Sequence, residues 1–431
     1  MNQPRLRILF LSPRFPFPLI GGDHVKCYHL LKHLSTLHDV TFVTFNHGSE
    51  PTQEQVESIR DLGIRLISMP LYPLKAALGC VRSVFSELPL EIAFYYSKDF
   101  TAQVDKLCSE TSFDLGISFF MRSAEYIRHK NFPKILIAED CRTMYQQRSF
   151  EVSNSLKQKI VRWWEVSKLK RYEPTVVNDF DYTTLVTKED ITAMKRQNPD
   201  AEYRLLTNGV DLSQFTANLS HDGRQSVLFA GKLNVWANEM MVKCIIKEIA
   251  PLVHAELPKT VFQIVGAHPP KSLFTLAENY PLAERIKIGG TVPRLQEYYH
   301  QAGVFVHPHS GASGIQNKLL EAMACGCPVV TTPTGVQGIP VEPGRDVLVG
   351  RNVNELAANV IKLLKNQALR ETIATNARHQ IEQYHSWESI YTAFDAIINE
   401  AVHGKTVQYE KATSENQYKK PIQEQVVEYE K

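Results

Sequence analysis

The sequence has little excess charge of either sign, since 48 Lys and Arg residues stand against 46 Asp and Glu residues, a formal net charge of +2. Nucleic-acid-binding proteins more often carry a strong basic excess, so we expect no nucleic-acid partner. No run reaches the roughly 18 apolar residues of a membrane span. The apolar run at the N-terminus breaks at Pro13, too early for a secretory signal. We therefore expect a soluble, cytoplasmic protein, which leaves room for a peripheral contact at the inner face of the cell membrane.

Cysteine, phosphate-loop and dinucleotide motifs are also missing. The seven cysteines are odd in number, and no pair has zinc-ligand spacing with a matching second pair, so neither disulfides nor a metal site are predicted. We interpret Cys325 and Cys327 as small packing residues. No P-loop is present, and no G-x-G-x-x-G run follows a predicted strand, which disfavours a redox enzyme. No cofactor is predicted.

What the sequence does contain is a repeated alternation of strand and helix patterns. At 431 residues the chain is long enough for two domains. Predicted strands lie at 7–12, 40–45, 64–69, 115–119, 135–138 and 182–186, and again at 227–231, 261–266, 285–289, 304–307, 328–332 and 346–350. Helix-period segments separate them, which is typical of parallel sheets covered on both faces. The pattern predicts an α/β protein of two Rossmann-like, doubly wound domains that face each other across a cleft.

An Asn-Gly turn in TNGVDLSQF (207–215) marks the predicted domain boundary. The first domain then covers 1–206 and the second 207–385. We expect the helical segment at 386–404 to pack back on the first domain. The tail at 405–431 is rich in Glu, Lys, Gln and Thr and has no core pattern, so it is predicted to be disordered.

The segment HPHSGASGIQNKLLEAMACGCPVVTT (307–332) carries the strongest functional signal. It begins where a predicted strand ends, the place at which open α/β sheets bind ligands, and its glycines lead directly into a helix. The N–H groups at such a helix start suit a diphosphate. Lys318 and Glu321 share one face of this helix. We interpret Lys318 as a cation for phosphate and Glu321 as an acceptor for a ribose diol; the alternative is a solvated ion pair on an ordinary helix.

The run KLLEAMACGCPVV resembles the signature of the retaining family-four glycosyltransferases, which have the two-domain GT-B architecture, and SGIQNKLLEAMA is similar to a bacterial subgroup associated with surface-polysaccharide loci. Other stretches agree in order and spacing: PFPLIGGDHVKCYHLLKHLS (16–35), LTNGVD (206–211), LFAGKLNVWAN (228–238), FQIVG (262–266) and GGTVPRLQEYYHQAGVFVHP (289–308). The resemblance covers about 5–403. It implies a retaining, metal-independent enzyme that moves a sugar from a nucleoside-diphosphate sugar to a glycan or lipid-linked acceptor.

The resemblance also implies roles for single residues. Catalytic roles fall on Lys232, Lys318 and Glu321, and donor contacts fall on Gly21, Gly22, Asn208, Gly231, Asn238, Ser313, Gly314 and Ile315. For Asn208 a simple linker turn is the alternative. This sequence departs from the family twice: Ser313 replaces the first of two glutamates eight residues apart, and Ala237 replaces the second of two basic residues. We therefore hypothesise that Lys318 supplies the missing phosphate charge.

The acceptor is expected on the first domain. The loop with Gly21 and Gly22 lines the cleft in relatives, although a plain strand–helix turn is the alternative. The predicted acceptor-side residues are His24, Lys26, Asp140 and Arg142. A carboxylate at position 140, at a strand's end, could orient an acceptor hydroxyl or cap a helix. The family's histidine near the donor sugar has no counterpart in Ser-Phe-Phe (118–120), so no catalytic histidine is assigned.

Residues 157–173 combine Lys and Arg with Trp163 and Trp164. A basic, aromatic helix can rest on anionic lipid, which would suit a lipid-linked acceptor, or its tryptophans can pack on the domain. Two other functions stay open. His307 and His309 would fit a sugar-nucleotide epimerase with the same fold, and Ser313 would fit a non-catalytic sugar-nucleotide-binding partner.

Overall fold

The computed structural model describes residues 4–19, 21–46, 50–83, 86–151, 153, 155–309 and 314–404. Its scaffold is a pair of parallel sheets, one in each half of the chain. The predicted disordered tail at 405–431 lies outside the described residues.

The first sheet has the strand order β3-β2-β1-β4-β5-β6-β7, and every pairing is parallel. Its strands are β1 (Arg7–Ser12), β2 (Asp39–Asn46), β3 (Arg65–Pro70), β4 (Leu115–Phe119), β5 (Lys134–Glu139), β6 (Tyr182–Leu185) and β7 (Tyr203–Leu205). The second sheet has the order β10-β9-β8-β11-β12-β13, again with parallel pairing. Its strands are β8 (Ser226–Ala230), β9 (Val261–Val265), β10 (Ile286–Ile288), β11 (Val304–His307), β12 (Val329–Thr331) and β13 (Leu348–Val349).

Helices connect the strands in both halves. Those of the first half are α1 (Gly22–Leu37), α2 (Gln53–Arg60), α3 (Pro73–Ser83), α4 (Leu90–Tyr95), α5 (Lys98–Glu110), α6 (Arg142–Glu151), α7 (Leu156–Val176) and α8 (Lys188–Gln197). Those that follow are α9 (Trp236–Cys244), α10 (Ala250–Glu256), α11 (Lys271–Glu278), α12 (Leu295–Gln301), α13 (Asn317–Ala324), α14 (Val353–Lys365), α15 (Gln367–Tyr384) and α16 (Trp387–His403). A π-helical turn, Ile245–Ile249, makes α9 and α10 nearly continuous.

Each sheet buries side chains on both faces, as its apolar strands predict. Along β1, Ile8 and Phe10 join the core beneath α1, while Leu9 and Leu11 join the core on the opposite face. The prediction of two Rossmann-like α/β domains is thereby confirmed. The strand that was not predicted, β7, has only three residues and places Arg204 at its centre, so it has no apolar run.

The last helix, α16, belongs to the core of the first domain although it follows the second in sequence. Trp387 and Phe394 are buried with Phe10 and Leu30 in one cluster. Gly209 lies against the Trp387 ring so closely that a Cβ there would stand 2.6 Å from the indole. The chain therefore crosses between the domains twice, once at the linker and once before α16, and the two crossings lie against each other. Among the described residues, no helix combines the length and apolar character needed to cross a membrane.

Candidate active site

The carboxyl ends of the central strands of the second sheet surround the ammonium group of Lys318. The Lys318 side chain rises from the first turn of α13 and donates to Asn238 Oδ1 at 2.6 Å. Asn238 is itself fixed, because its Nδ2 donates to the carbonyl of Lys232 at 2.8 Å. Lys232 lies in the turn after β8, and its side chain is exposed. The structure thus brings together the backbone of Lys232 and the side chains of Asn238 and Lys318.

Two glycines, Gly231 and Gly266, leave the backbone near this turn without covering side chains. Gly231 N donates to Val265 O at 3.1 Å, so the ends of β8 and β9 touch. Gly266 has φ 151°, and a Cβ on it would collide with the Gly231 carbonyl. A Cβ on Gly231 would stand 3.4 Å from Lys318 Nζ. Only glycine keeps open the backbone surface above the ammonium, where a ligand can approach closely.

Among the residues that the structure describes, neither Lys318 nor Glu321 forms an ion pair, and each has an uncharged hydrogen-bond partner. Burial lowers the pKa of Lys318 to about 8, against the opposing influence of Glu321. Burial raises the pKa of Glu321 to about 7, although a hydrogen bond from Tyr299 Oη at 3.3 Å opposes the rise. Tyr299 is completely buried and was not singled out in the sequence. The site therefore holds a desolvated cation that an anionic ligand would stabilise and a carboxyl group that can accept hydrogen bonds from ligand hydroxyl groups.

His307 ends β11 beside this cation, and His309 follows two residues later. Their rings stack with centroids 5.1 Å apart, and His307 Nδ1 lies 3.2 Å from Thr331 Oγ1. Burial and the charge of Lys318 lower the pKa of both, to about 4 for His309, so both rings are neutral at pH 7. His307 is fully buried, which removes it from reach of a substrate proton and gives the epimerase alternative no support.

The start of α13 meets the first domain across the cleft. Asn208 Nδ2 donates to Asn317 Oδ1 at 2.8 Å. Gly22, the first residue of α1, lies against the same side chain: a Cβ there would collide with Asn317 Nδ2 and stand 3.1 Å from its Cγ. The N-termini of α1 and α13 therefore converge, and both present N–H dipoles to the cleft. Sequence reasoning quoted Asn317 within its motif but did not recognise it as the bridging residue.

The remaining predicted donor residues lie along the same rim. Gly21 is the N-cap of α1 and has φ 109°. Gly314 has φ 80°, and a Cβ on it would stand 3.9 Å from Val186 of the first domain. Ile315 packs near Gly338, which in turn touches Thr187. Ser313 lies outside the described residues.

On the first domain, Lys26 is not a free cation of the cleft. Its side chain is 1% exposed, forms an ion pair with Glu139 Oε1 at 2.6 Å and donates to Leu206 O at 2.7 Å. The ammonium ties α1 to the end of β5 and to the linker. This burial changes the expected role of Lys26 from acceptor contact to positioning. His24, by contrast, stays near the rim, with Nδ1 2.9 Å from Pro18 O.

Asp140 and Arg142 belong to an ion-pair cluster below the cleft. Arg142 lies 3.3 Å from Asp140 and 2.9 Å from Glu91, and Arg122 lies 3.1 Å from Glu91. Burial would raise the pKa of Glu91, but the two guanidinium groups outweigh it and hold that pKa at about 2. The cluster was not predicted, because Glu91 is distant in sequence.

The start of α6 is capped by other carboxylates than Asp140. Glu173 accepts from the N–H groups of Arg142 at 2.7 Å and Thr143 at 3.0 Å. Asp190 accepts from Cys141 N at 3.0 Å. The alternative in which Asp140 caps this helix is therefore replaced, since Glu173 and Asp190 occupy these donors. Among the described residues no group of three His, Cys, Asp or Glu side chains has the arrangement of a metal site.

Comparison with known proteins agrees with this geometry. Residues 224–366, which contain the Lys318 site, match the family described as glycosyl transferases group 1. An uncharacterized 44.6 kDa protein in the cps region of Klebsiella pneumoniae is 21% identical over 403 residues, which cover 90% of this chain and 98% of that protein. A capsular polysaccharide biosynthesis glycosyltransferase, CapM of Staphylococcus aureus, is 30% identical over 110 residues, 24% of this chain and 29% of CapM.

Solved structures share the fold over nearly the whole chain. Sucrose-phosphate synthase from Thermosynechococcus elongatus superposes with a TM-score of 0.68 at 16% identity, over 92% of this chain and 99% of that one. Anabaena HepE in complex with UDP-glucose gives a TM-score of 0.64 at 15% identity, over 92% and 100%. Both halves of the chain therefore have counterparts in one known two-domain arrangement.

Proposed function

The chain is a glycosyltransferase with the GT-B fold, and on this premise we propose that it moves a sugar from a nucleoside-diphosphate sugar to a glycan or lipid-linked acceptor in surface polysaccharide biosynthesis. We propose further that it retains the configuration of the sugar and needs no metal. The observation that carries the proposal is the Lys318 ammonium, held by Asn238 beneath a bare glycine turn.

A diphosphate fits this place because cations and N–H dipoles meet there. The exposed Lys232, the half-buried Lys318 and the starts of α1 and α13 all bring positive charge to one rim. When the bond to the sugar breaks, negative charge grows on the leaving diphosphate. Preorganised cations in a water-poor site stabilise that charge better than water does. Lys318 thereby takes the role of the basic residue that Ala237 replaces.

Glu321 lies one turn further along α13, next to Tyr299. Its carboxyl group can accept from a ribose diol, and such bonds would offset the desolvation that raises its pKa to about 7. We assign it to donor binding. The acceptor would enter from the first domain, past Gly21 and His24. If the leaving phosphate accepts the proton of the acceptor hydroxyl, no protein base is required.

The relatives support the setting and the donor class. CapM is named for capsular polysaccharide biosynthesis, and the structure of HepE holds UDP-glucose. A uridine nucleotide is therefore the first donor to try.

The direct test is calorimetric titration of the protein with UDP, GDP and their glucose derivatives, with and without EDTA. We expect one nucleotide series to bind, with an affinity that EDTA leaves unchanged. Lys318→Ala should weaken that binding about 10- to 100-fold, because a charge-assisted hydrogen bond contributes about 1.5–3 kcal/mol. Lys362→Ala, an exposed lysine on α14, is the matched control and should bind like the wild type.

Three results would contradict the proposal. Unchanged affinity in Lys318→Ala would remove Lys318 from the donor site. Conversion of the nucleotide sugar to an epimer without any acceptor, or tight binding with no turnover on any glycan or lipid-linked acceptor, would favour the two alternative functions.

A further inference from the structure

Helix α3 has its apolar side turned outward. Leu74, Leu78 and Val81 follow the i, i+4, i+7 spacing of one helix face and are 83%, 59% and 61% exposed. The inward side carries small residues instead: Ala76 is buried, and a Cβ on Gly79 would stand 2.7 Å from Ala93 O. An ordinary surface helix of a globular domain has the opposite arrangement.

The first half of α7 has a second exposed apolar stripe. Leu156, Ile160 and Trp163 are 74%, 59% and 61% exposed, and they follow the same helical spacing. Trp164 is only partly exposed, so the alternative in which the tryptophans pack on the domain holds for one of the pair. Exposed apolar side chains of this size normally mark an interaction site.

Two buried side chains of α7 fasten the helices together. Lys168 Nζ donates to the carbonyl of Ser83, at the end of α3, and to Ser86 O at 2.6 Å. Glu165 accepts from the backbone N–H groups of Leu90 and Glu91 at 2.7 and 3.1 Å. The two stripes are therefore held in a fixed relation on one domain, and we call them together the α3–α7 surface.

The charge around this surface has one dominant sign. On α7 the residues that stay wholly or partly in water include Lys157, Lys159, Arg162, Lys170 and Arg171. The two carboxylates of the helix, Glu165 and Glu173, are buried and point inward. Arg171 pairs with the exposed Glu87 at 3.3 Å, which leaves the other four cations to set the charge.

We propose that the α3–α7 surface docks on an anionic phospholipid bilayer. Apolar stripes, a tryptophan and flanking cations are the combination that inserts at a lipid interface, where the cations meet headgroup phosphate and the apolar side chains enter the acyl boundary. The inference rests on the proposed function in one respect: docking would bring the cleft to a lipid-linked acceptor. The docking itself does not depend on the donor or on turnover.

The test is co-sedimentation of the full chain with vesicles of phosphatidylcholine alone and with added phosphatidylglycerol. We expect binding only to the phosphatidylglycerol vesicles, and weaker binding as salt rises. The double variant Leu78→Asp/Ile160→Asp should reduce binding at least tenfold. Phe274→Asp and Leu252→Asp, which change apolar side chains of the second domain that are each 39% exposed, are the controls and should bind normally.

Every variant is also titrated with the nucleotide that the wild type binds and is melted thermally. Unchanged titration and melting in the double variant show that the fold and the donor site are intact, so lost vesicle binding then reports on the surface alone. Wild-type protein that ignores anionic vesicles, or a double variant that binds them as well as wild type, overturns the proposal. So does a lipid-free dimer that the double variant dissociates, because the surface would then bind a second copy.

Discussion

The two domains bury charged groups in different ways. In the first, the buried charges include tight ion pairs, since Lys26 contacts Glu139 and Glu91 contacts both Arg122 and Arg142. Glu173, which accepts from backbone N–H groups at the start of α6, is an exception. In the second, Lys318 has a neutral amide as its hydrogen-bond partner, and Glu321 has a phenol. The pKa values follow the kind of partner. Despite burial, two guanidinium groups hold the pKa of Glu91 at about 2, whereas burial raises the pKa of Glu321 to about 7, as it does for Glu173 with its backbone partners.

We interpret this difference as one between charges that hold the fold and charges that the proposed ligand would stabilise. A buried charge without a partner costs free energy, and the cost is kept only where something else uses it. The paired groups of the first domain fix α1 to the end of β5 and to the linker, and α4 to α6. Lys318 and Glu321 of the second lie near the carboxyl ends of strands, where the proposed donor would supply their partner.

The largest effect should come from breaking a paired charge. Glu91→Gln leaves Arg122 and Arg142 without their shared carboxylate, and removal of one partner of a buried ion pair costs about 3–5 kcal/mol. Glu321→Gln should cost far less in the ligand-free protein, because it removes a charge that burial already disfavours. Urea unfolding at pH 7.5 measures both. Equal losses in the two variants would show that the comparison between the domains is wrong.

A smaller effect should appear in the pH dependence of nucleotide binding. The pKa of Lys318 is lowered to about 8 in the free protein, so its ammonium loses its proton as the pH rises above that value. A diphosphate binds the protonated form, and affinity should therefore fall by up to about tenfold per pH unit above pH 8. Calorimetric titration from pH 7 to 9.5 tests this, in a range where phosphate, with a second pKa near 6, stays fully ionised.

The control for that titration is Lys318→Ala. The variant has no ammonium to lose at this position, so its weaker affinity should hardly change over the same pH range. If the wild type and Lys318→Ala show the same slope, another group titrates and Lys318 does not contact the diphosphate.

Local patterns were enough for the scaffold. Strands such as RILFLS are short apolar runs with sharp ends, and the structure places them as β1 (Arg7–Ser12) and its successors with shifts of a residue or two. The glycine loop and helix at 307–332 indicated the position of the candidate site, because ligand sites in parallel sheets follow from topology. The short edge strand β7 lacked such a run and was missed.

Contacts between residues that are distant in the chain could not be predicted from the sequence. Nothing local marks Tyr299 as the partner of Glu321, or Glu91 as the partner of Arg142, since each pair forms only when distant segments pack. Lys26 was read as a cleft cation because its neighbours are glycines, whereas its contact with Glu139 depends on the order of strands in the sheet. The exposure of the apolar face of α3 could not be predicted, because the sequence does not show which side of this helix packs on α4.

The smallest effect concerns the contact that joins the two domains. Gly22→Ala adds a methyl group at the start of α1, where alanine suits a helix better than glycine, so the first domain itself should not be weakened. The same methyl collides with Asn317 of the second domain. We expect it to hold the domains slightly apart and to weaken nucleotide-sugar binding several-fold, with little change in the unfolding temperature.

The contact can be isolated by a double-variant cycle. Asn317→Ala removes the amide that the new methyl meets, at the cost of the hydrogen bond from Asn208. If the collision is the cause, Gly22→Ala should weaken binding in the wild type but add nothing in Asn317→Ala, a coupling on the order of 1 kcal/mol. Additive effects of the two changes would mean that Gly22 acts on the donor directly and that the domains do not close through Asn317. The cycle thus decides whether the first domain touches the donor or only brings the second domain into place.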